Sequence, residues 1–163
     1  MTLSRPRWPR RAAPLVLAVI PLILGGCSFL GIGSSKPSLP ARTDSVFHLS
    51  VGDCIVPPTS IQAEISTLKV VSCHEVHTQE VFALIKDNAG SNYPGAAALQ
   101  TFANAGCLQK FEPYVGVDYE DSSLFYTYLL PSVRSWTQED RTVVCIITTT
   151  GQPLTASVRG SKR

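Results

Sequence analysis

Apolar positions along the chain change character several times. Residues 12–24, Ala-Ala-Pro-Leu-Val-Leu-Ala-Val-Ile-Pro-Leu-Ile-Leu, form an unbroken uncharged run. Residues 94–112 instead show helical spacing. Leu99, Ala103, Cys107 and Phe111 recur every fourth position, with Phe102 and Gly106 beside them and Pro94 as the expected first helical residue. Two-residue alternation marks the strands. Arg141 to Thr150 is rich in β-branched residues, with Val143, Cys145 and Ile147 on one face. Val144 and Ile146 make the other face apolar too, which predicts a central strand covered on both sides. Glu80 to Lys86 alternates Val81, Ala83 and Ile85 against Phe82 and Leu84. Ser123 to Leu130 puts Leu124, Tyr126, Tyr128 and Leu130 on one face. Val46 to Val51 and Ile65 to Ser72 are further strands, and Pro131 to Glu139 is a short helix or turn around Trp136. The expected fold is α+β: a small, mostly antiparallel sheet of about five strands, with one long helix packed on it.

Charge separates the N-terminal run from the rest. The 163 residues carry 14 basic and 12 acidic groups. Arg5, Arg7, Arg10 and Arg11 precede the apolar run, and every acid follows it. Residues 27–163 hold ten basic against 12 acidic groups, so the body has no basic stripe for a nucleic-acid backbone. A basic start, an uncharged core and the small-residue site Leu24-Gly25-Gly26-Cys27 read as an export signal over residues 1–26. The cysteine after the glycines resembles a bacterial lipobox. That resemblance implies a diacylglycerol on the Cys27 thiol, cleavage before it, and an acyl chain such as palmitate on the freed amine. An uncleaved membrane helix is the alternative, but Pro14, Pro21 and Gly25-Gly26 make a poor helix. Two or three acyl chains suffice for stable attachment. Residues 27–45 then read as the lipidated cysteine and a Gly/Ser/Pro-rich tether spanning roughly 20–25 Å. The folded domain is expected over 46–160, at the outer face of the plasma membrane, with the arginines inside.

Removing Cys27 leaves Cys54, Cys73, Cys107 and Cys145, an even number that reads as a disulfide framework in an exported domain. Three connectivities are open. Cys107 lies on the apolar stripe of the helix and Cys145 on one face of the central strand, so packing the two favours Cys107–Cys145 and leaves Cys54–Cys73. The sharper competitor is zinc: Cys73, His74, His77 and Glu80 lie within eight residues, and Cys54 could join them. The paired C-x₂₋₄-C spacing is absent, His74 and His77 do not have the H-E-x-x-H spacing, and an oxidising compartment favours disulfides. No metal and no cofactor are expected.

In order, the landmarks are Val51-Gly52-Asp53-Cys54, Val70-Val71-Ser72-Cys73, and His77 with Glu80-Val81-Phe82-Ala83. Tyr93-Pro94-Gly95 opens the helix of Cys107, and Phe111 and Tyr114-Val115-Gly116 follow. Pro131, Trp136, Asp140-Arg141 and Val143-Val144-Cys145 close the series. This order resembles the septum-formation family domain of actinobacterial envelope proteins. Val76 stands where the family usually has proline, Glu139 where it often has glycine, and Ala156 where glycine precedes the serine. The resemblance implies an envelope location and a link with cell division, and assigns no chemistry to particular residues.

No catalytic set is legible. There is no G-x-S-x-G elbow, phosphate-binding loop or G-x-G-x-x-G. His77 and Glu80 suit a general-base pair only if they face a cleft. Otherwise they brace the turn into a strand. Asp140-Arg141 reads as an ion pair or loop anchor, and Trp136 as core or as a stacking surface. His77, Glu80, Trp136, Asp140 and Arg141 are therefore candidate binding residues. The expectation is a non-enzymatic binding or structural lipoprotein whose partners are the membrane and envelope or division proteins. The alternative is a small cell-wall hydrolase using His77 and Glu80.

Overall fold

Five consecutive apolar side chains, Val143 to Ile147, need cover on both faces, and strand β6 (Thr142–Thr148) receives it as an interior strand of a six-stranded antiparallel sheet. The computed structural model describes residues 40–60, 65–88 and 90–163. The stretch read as an export signal, Cys27 and the stretch read as a tether, as far as residue 39, lie outside these residues. The strands are β1 (Arg42–Ser45), β2 (Cys54–Val56), β3 (Thr67–Val71), β4 (Gln79–Lys86), β5 (Phe125–Leu129) and β6, in the order β1-β3-β2-β4-β6-β5. One long helix, α1 (Ala96–Val115), packs on the first face, and a short α2 (Val133–Thr137) precedes β6.

The stripe Leu99, Ala103, Cys107, Phe111 is wholly buried. Ala103, Cys107 and Phe111 pack with Ala83, Val143, Cys145 and Ile147 of the sheet. Burying Leu99 and Phe111 contributes about 2–3 kcal/mol each. The helix runs past residue 112 and through Pro113. That ring removes one donor from an exposed last turn, while Tyr114 and Val115 beyond it are buried. Gly116 then stops the helix at φ +89°, donating its N–H to Glu112 O at 2.8 Å. At the other end Pro94 stays outside, and Gly95 is the N-cap.

Simple alternation along β4 fails at one point. Val81 faces Ile146 and Ala83 faces Cys145, with Phe82 as an extra residue between them. This bulge turns Val81 to the second face and lets Phe82 join Ala83 under the helix, edge-on to Phe111 at 5.9 Å. The second face gathers Leu49, Ile55, Leu68, Val70, Val81, Val144 and Ile146.

The N-terminal side also departs from expectation. The sheet begins at Arg42, inside the stretch read as tether, where β1 pairs with β3. The strand expected over Val46–Val51 is instead a 3₁₀ turn over Val46–His48, followed by a loop. Its cause is local: Asp44 Oδ1 accepts from the Ser45 N–H at 2.9 Å, and Ser45 Oγ accepts from the Phe47 N–H at 3.3 Å. The three residues of β2 form too short a run for any periodicity to reveal, yet they bridge β3 and β4.

Two disulfides join these layers in the pairing that helix-on-sheet packing favours. Cys107–Cys145 ties α1 to β6 with Cα atoms 5.6 Å apart. Cys54–Cys73 ties β2 to the turn after β3 with Cα atoms 5.2 Å apart.

Candidate functional site

The register of β2 on β4 sets Cys54 opposite Glu80. The turn between β3 and β4 brings Cys73 and His77 to the same end of the sheet. Sulfurs of Cys54 and Cys73, a nitrogen of His77 and an oxygen of Glu80 all lie within 4.8 Å of one another. His74, exposed, stands apart from this group. Three of the four ligand-type residues are buried, and only Cys73 is partly accessible.

Glu80 is completely buried and meets three donors. Its Oε1 accepts from the Tyr114 hydroxyl at 2.5 Å and the Ser157 hydroxyl at 2.6 Å, and Oε2 accepts from the Val158 N–H at 2.8 Å. A side chain that only accepts is in the bonding pattern of a carboxylate. Burial, the Glu80 hydrogen bond and its charge push the Tyr114 hydroxyl up to about 12, while the Arg159 guanidinium over its ring, 4.7 Å away, opposes the shift.

His77 is 1% exposed. Its Nδ1 lies 2.7 Å from the Glu75 carbonyl oxygen, so Nδ1 carries the proton and donates it. In the neutral ring Nε2 is then an acceptor, and it is buried with no hydrogen-bond partner among the described residues. Such an orphan costs about 1–3 kcal/mol. The backbone of His77 is also committed: it exchanges hydrogen bonds with Leu154, 3.1 Å through its own N–H and 2.7 Å through the Leu154 N–H. Through His77, Glu80 and Tyr114 the C-terminal segment is strapped across the sheet end, with Leu154 and Val158 buried beneath.

The remaining candidates assemble elsewhere and brace a loop. Trp136 is 2% exposed, donates its indole N–H to Ser91 O at 2.9 Å and stacks edge-on with Tyr93 at 5.6 Å. The Arg141 guanidinium lies over its other side, 4.0 Å from the ring centre, and donates to Trp136 O at 2.6 Å and Gly90 O at 3.2 Å. The guanidinium also donates to the Asp140 backbone O at 3.2 Å, while the Asp140 carboxylate accepts from the Thr142 N–H through Oδ1 at 3.0 Å. Both side chains thus bind backbone groups of the loop, and no ion pair joins them among the described residues. Asp140 also borders a groove of about 560 Å³ on the second face, with Phe47, Ile65, Leu129 and Arg134. Cys54, Cys73, His77 and Glu80 have no part in that groove.

Sequence reading alone missed Tyr114, Ser157 and Val158 as the partners of Glu80. The available signal was a carboxylate at the start of a strand with two apolar faces, a position that demands donors from elsewhere.

The profile of the family described as Septum formation matches residues 51–161. Two relatives carry the name "Putative lipoprotein LppN", one from Mycobacterium tuberculosis and one from Mycobacterium bovis. Each is 33% identical over 127 residues, covering 73% of this chain and 67% of the relative. No solved structure matches the chain.

Proposed function

Since the chain belongs to the septum-formation family, as the match over residues 51–161 shows, we propose that it is a lipid-anchored, non-enzymatic module of the cell envelope. In this reading Cys27 holds it at the outer face of the plasma membrane, where it engages division or wall-assembly proteins. The observation that carries the reading is the burial of Glu80, whose carboxylate is taken up by Tyr114, Ser157 and Val158. A general base must come within hydrogen-bond reach of its substrate. His77 and Glu80 face the interior, where the His77 backbone and the Glu80 carboxylate hold the C-terminal segment. Lipid anchoring is supported by the lipobox-like Leu24-Gly25-Gly26-Cys27 and by the lipoprotein name of the two relatives. Among the described residues no helix is long and apolar enough to cross a membrane.

Crosslinking on intact cells, followed by affinity purification of wild-type and Cys27→Ala chains, tests this reading. The wild type is expected in the membrane fraction with a reproducible envelope partner. The variant is expected to leave the membrane or persist as a longer precursor. An unchanged membrane-bound variant rules out the anchor, and a wild type that captures no envelope protein rules out the binding role.

A further inference from the structure

We propose that the cluster of Cys54, Cys73, His77 and Glu80 is a redox-gated zinc site: closed while the disulfide stands, and able to take one Zn²⁺ once it is reduced. The inference is independent of the membrane anchor and of any partner.

Two observations point the same way. The first is the donor set: two sulfurs, one imidazole nitrogen and one carboxylate oxygen within 4.8 Å of one another. Thiolate, imidazole and carboxylate are the ligand types that zinc takes in a four-coordinate site. The second is the state of His77. Its Nδ1–H is held by the Glu75 carbonyl at 2.7 Å, which leaves Nε2 with a free lone pair. That nitrogen is buried and has no hydrogen-bond partner. A ring N–H fixed on a backbone carbonyl, with the opposite nitrogen free, is how metal-binding histidines are oriented. Among the described residues Glu80 Oε2 accepts one hydrogen bond, from the Val158 N–H, so it retains a lone pair for a cation.

In the oxidised protein each sulfur is bonded to the other and neither is a thiolate, so the set lacks its two strongest ligands. Opening needs two electrons, supplied by a dithiol reductant. Its thiolate attacks the partly exposed Cys73 sulfur, forming a mixed disulfide, and the buried Cys54 leaves as a thiolate. The second thiol of the reductant releases Cys73 and closes the reductant's own disulfide. Two protons remain on or near the cysteines, and Zn²⁺ displaces them. Around a tetrahedral zinc the sulfurs stand about 3.7 Å apart, which side-chain rotation from a bonded pair can reach. The metal would then join β2, the turn after β3 and the start of β4, the segments that the disulfide joins now. Cys107–Cys145 is buried at both ends and resists the same reductant.

The test uses the full chain, oxidised or treated with a phosphine reductant, titrated with Zn²⁺ alone and read by native mass spectrometry, with Co²⁺ absorption as a report of tetrahedral thiolate ligation. The reduced chain is expected to bind one Zn²⁺ and the oxidised chain none. His77→Ala should weaken uptake by more than about tenfold, the loss that even an outer-shell partner can cause. Cys54→Ser/Cys73→Ser should abolish it. Circular dichroism covers the case in which reduction unfolds the chain: added Zn²⁺ should then restore structure in the wild type and not in His77→Ala. Equal binding by the oxidised chain, no binding by the reduced chain, indifference to His77→Ala, or a reduced chain that stays unfolded with Zn²⁺ would each overturn the proposal.

Discussion

Glu80 shows how a single polar side chain can be indispensable without touching a substrate. Replacing it by glutamine keeps the volume but sets an amide against donors on both sides, so at least one of Tyr114, Ser157 and Val158 loses its acceptor. Denaturant unfolding of Glu80→Gln should reveal a loss of about 2–4 kcal/mol. Tyr114 adds a pH dependence. Its folded-state value, about 12, lies above the ordinary value of 10.0. The folded state therefore holds the hydroxyl proton more tightly than the unfolded state. The contribution is complete below pH 10 and is lost as pH rises towards 12. Melting temperature followed from pH 9 to 12 should fall more steeply for the wild type than for Tyr114→Phe. Glu139 is the opposite case, a residue held where its side chain is unwelcome. It has φ +65° at the end of the α2 turn, and glycine is frequent there in the family the sequence resembles. Glu139→Gly should raise stability by about 0.5–1 kcal/mol, since the left-handed region is costly for a residue with a Cβ. A lowered melting temperature would show that the turn depends on the glutamate side chain.

Helix α1 is legible because its burial is periodic. Leu99, Ala103, Cys107 and Phe111 of its predicted stripe are all buried, the last three against the sheet. The structure carries the helix three residues beyond 112, through Pro113, because Tyr114 and Val115 pack inside. The true stop is Gly116. A Cβ there would lie 3.3 Å from Lys162 Cγ and 3.7 Å from Gly160 Cα, besides straining the backbone. Gly116→Ala is expected to cost about 1–2 kcal/mol by thermal unfolding. Strands with apolar residues on both faces were equally readable, and β6 lies where that pattern puts it. The bulge at Phe82 was not readable: an inserted residue leaves β4 looking regular, and only the partner strand shows that two of its residues oppose one. For β1 and β2, four and three residues are too few for a period to stand out. Their place is decided by pairing with β3, a contact distant in sequence.

At the scale of the molecule the C-terminal segment behaves as a strap rather than a tail. Leu154 pairs with His77, Val158 reaches Glu80, Gly160 donates to Tyr114 O at 2.8 Å and Lys162 to Val115 O at 2.9 Å. Ending the chain at residue 152 would remove all of these and bare the apolar floor beneath Leu154 and Val158. The truncated protein should fail to show a cooperative thermal transition, whereas removal of Arg163 alone should cost less than about 1 kcal/mol. By itself the sequence determined the α+β class, the helix stripe, the central strand and the pairing of the helix cysteine with the strand cysteine. Each of these follows from local periodicity or from one contact between two amphipathic surfaces. Tertiary structure alone decided that His77 and Glu80 face inward, that the Asp140 carboxylate and the Arg141 guanidinium take backbone partners, and that one end of the sheet collects two sulfurs, an imidazole and a carboxylate. For Glu80 the reason is that its hydrogen-bond partners are chosen by three-dimensional proximity across 34 to 78 residues of chain, and a linear pattern of polar and apolar positions does not encode that distance.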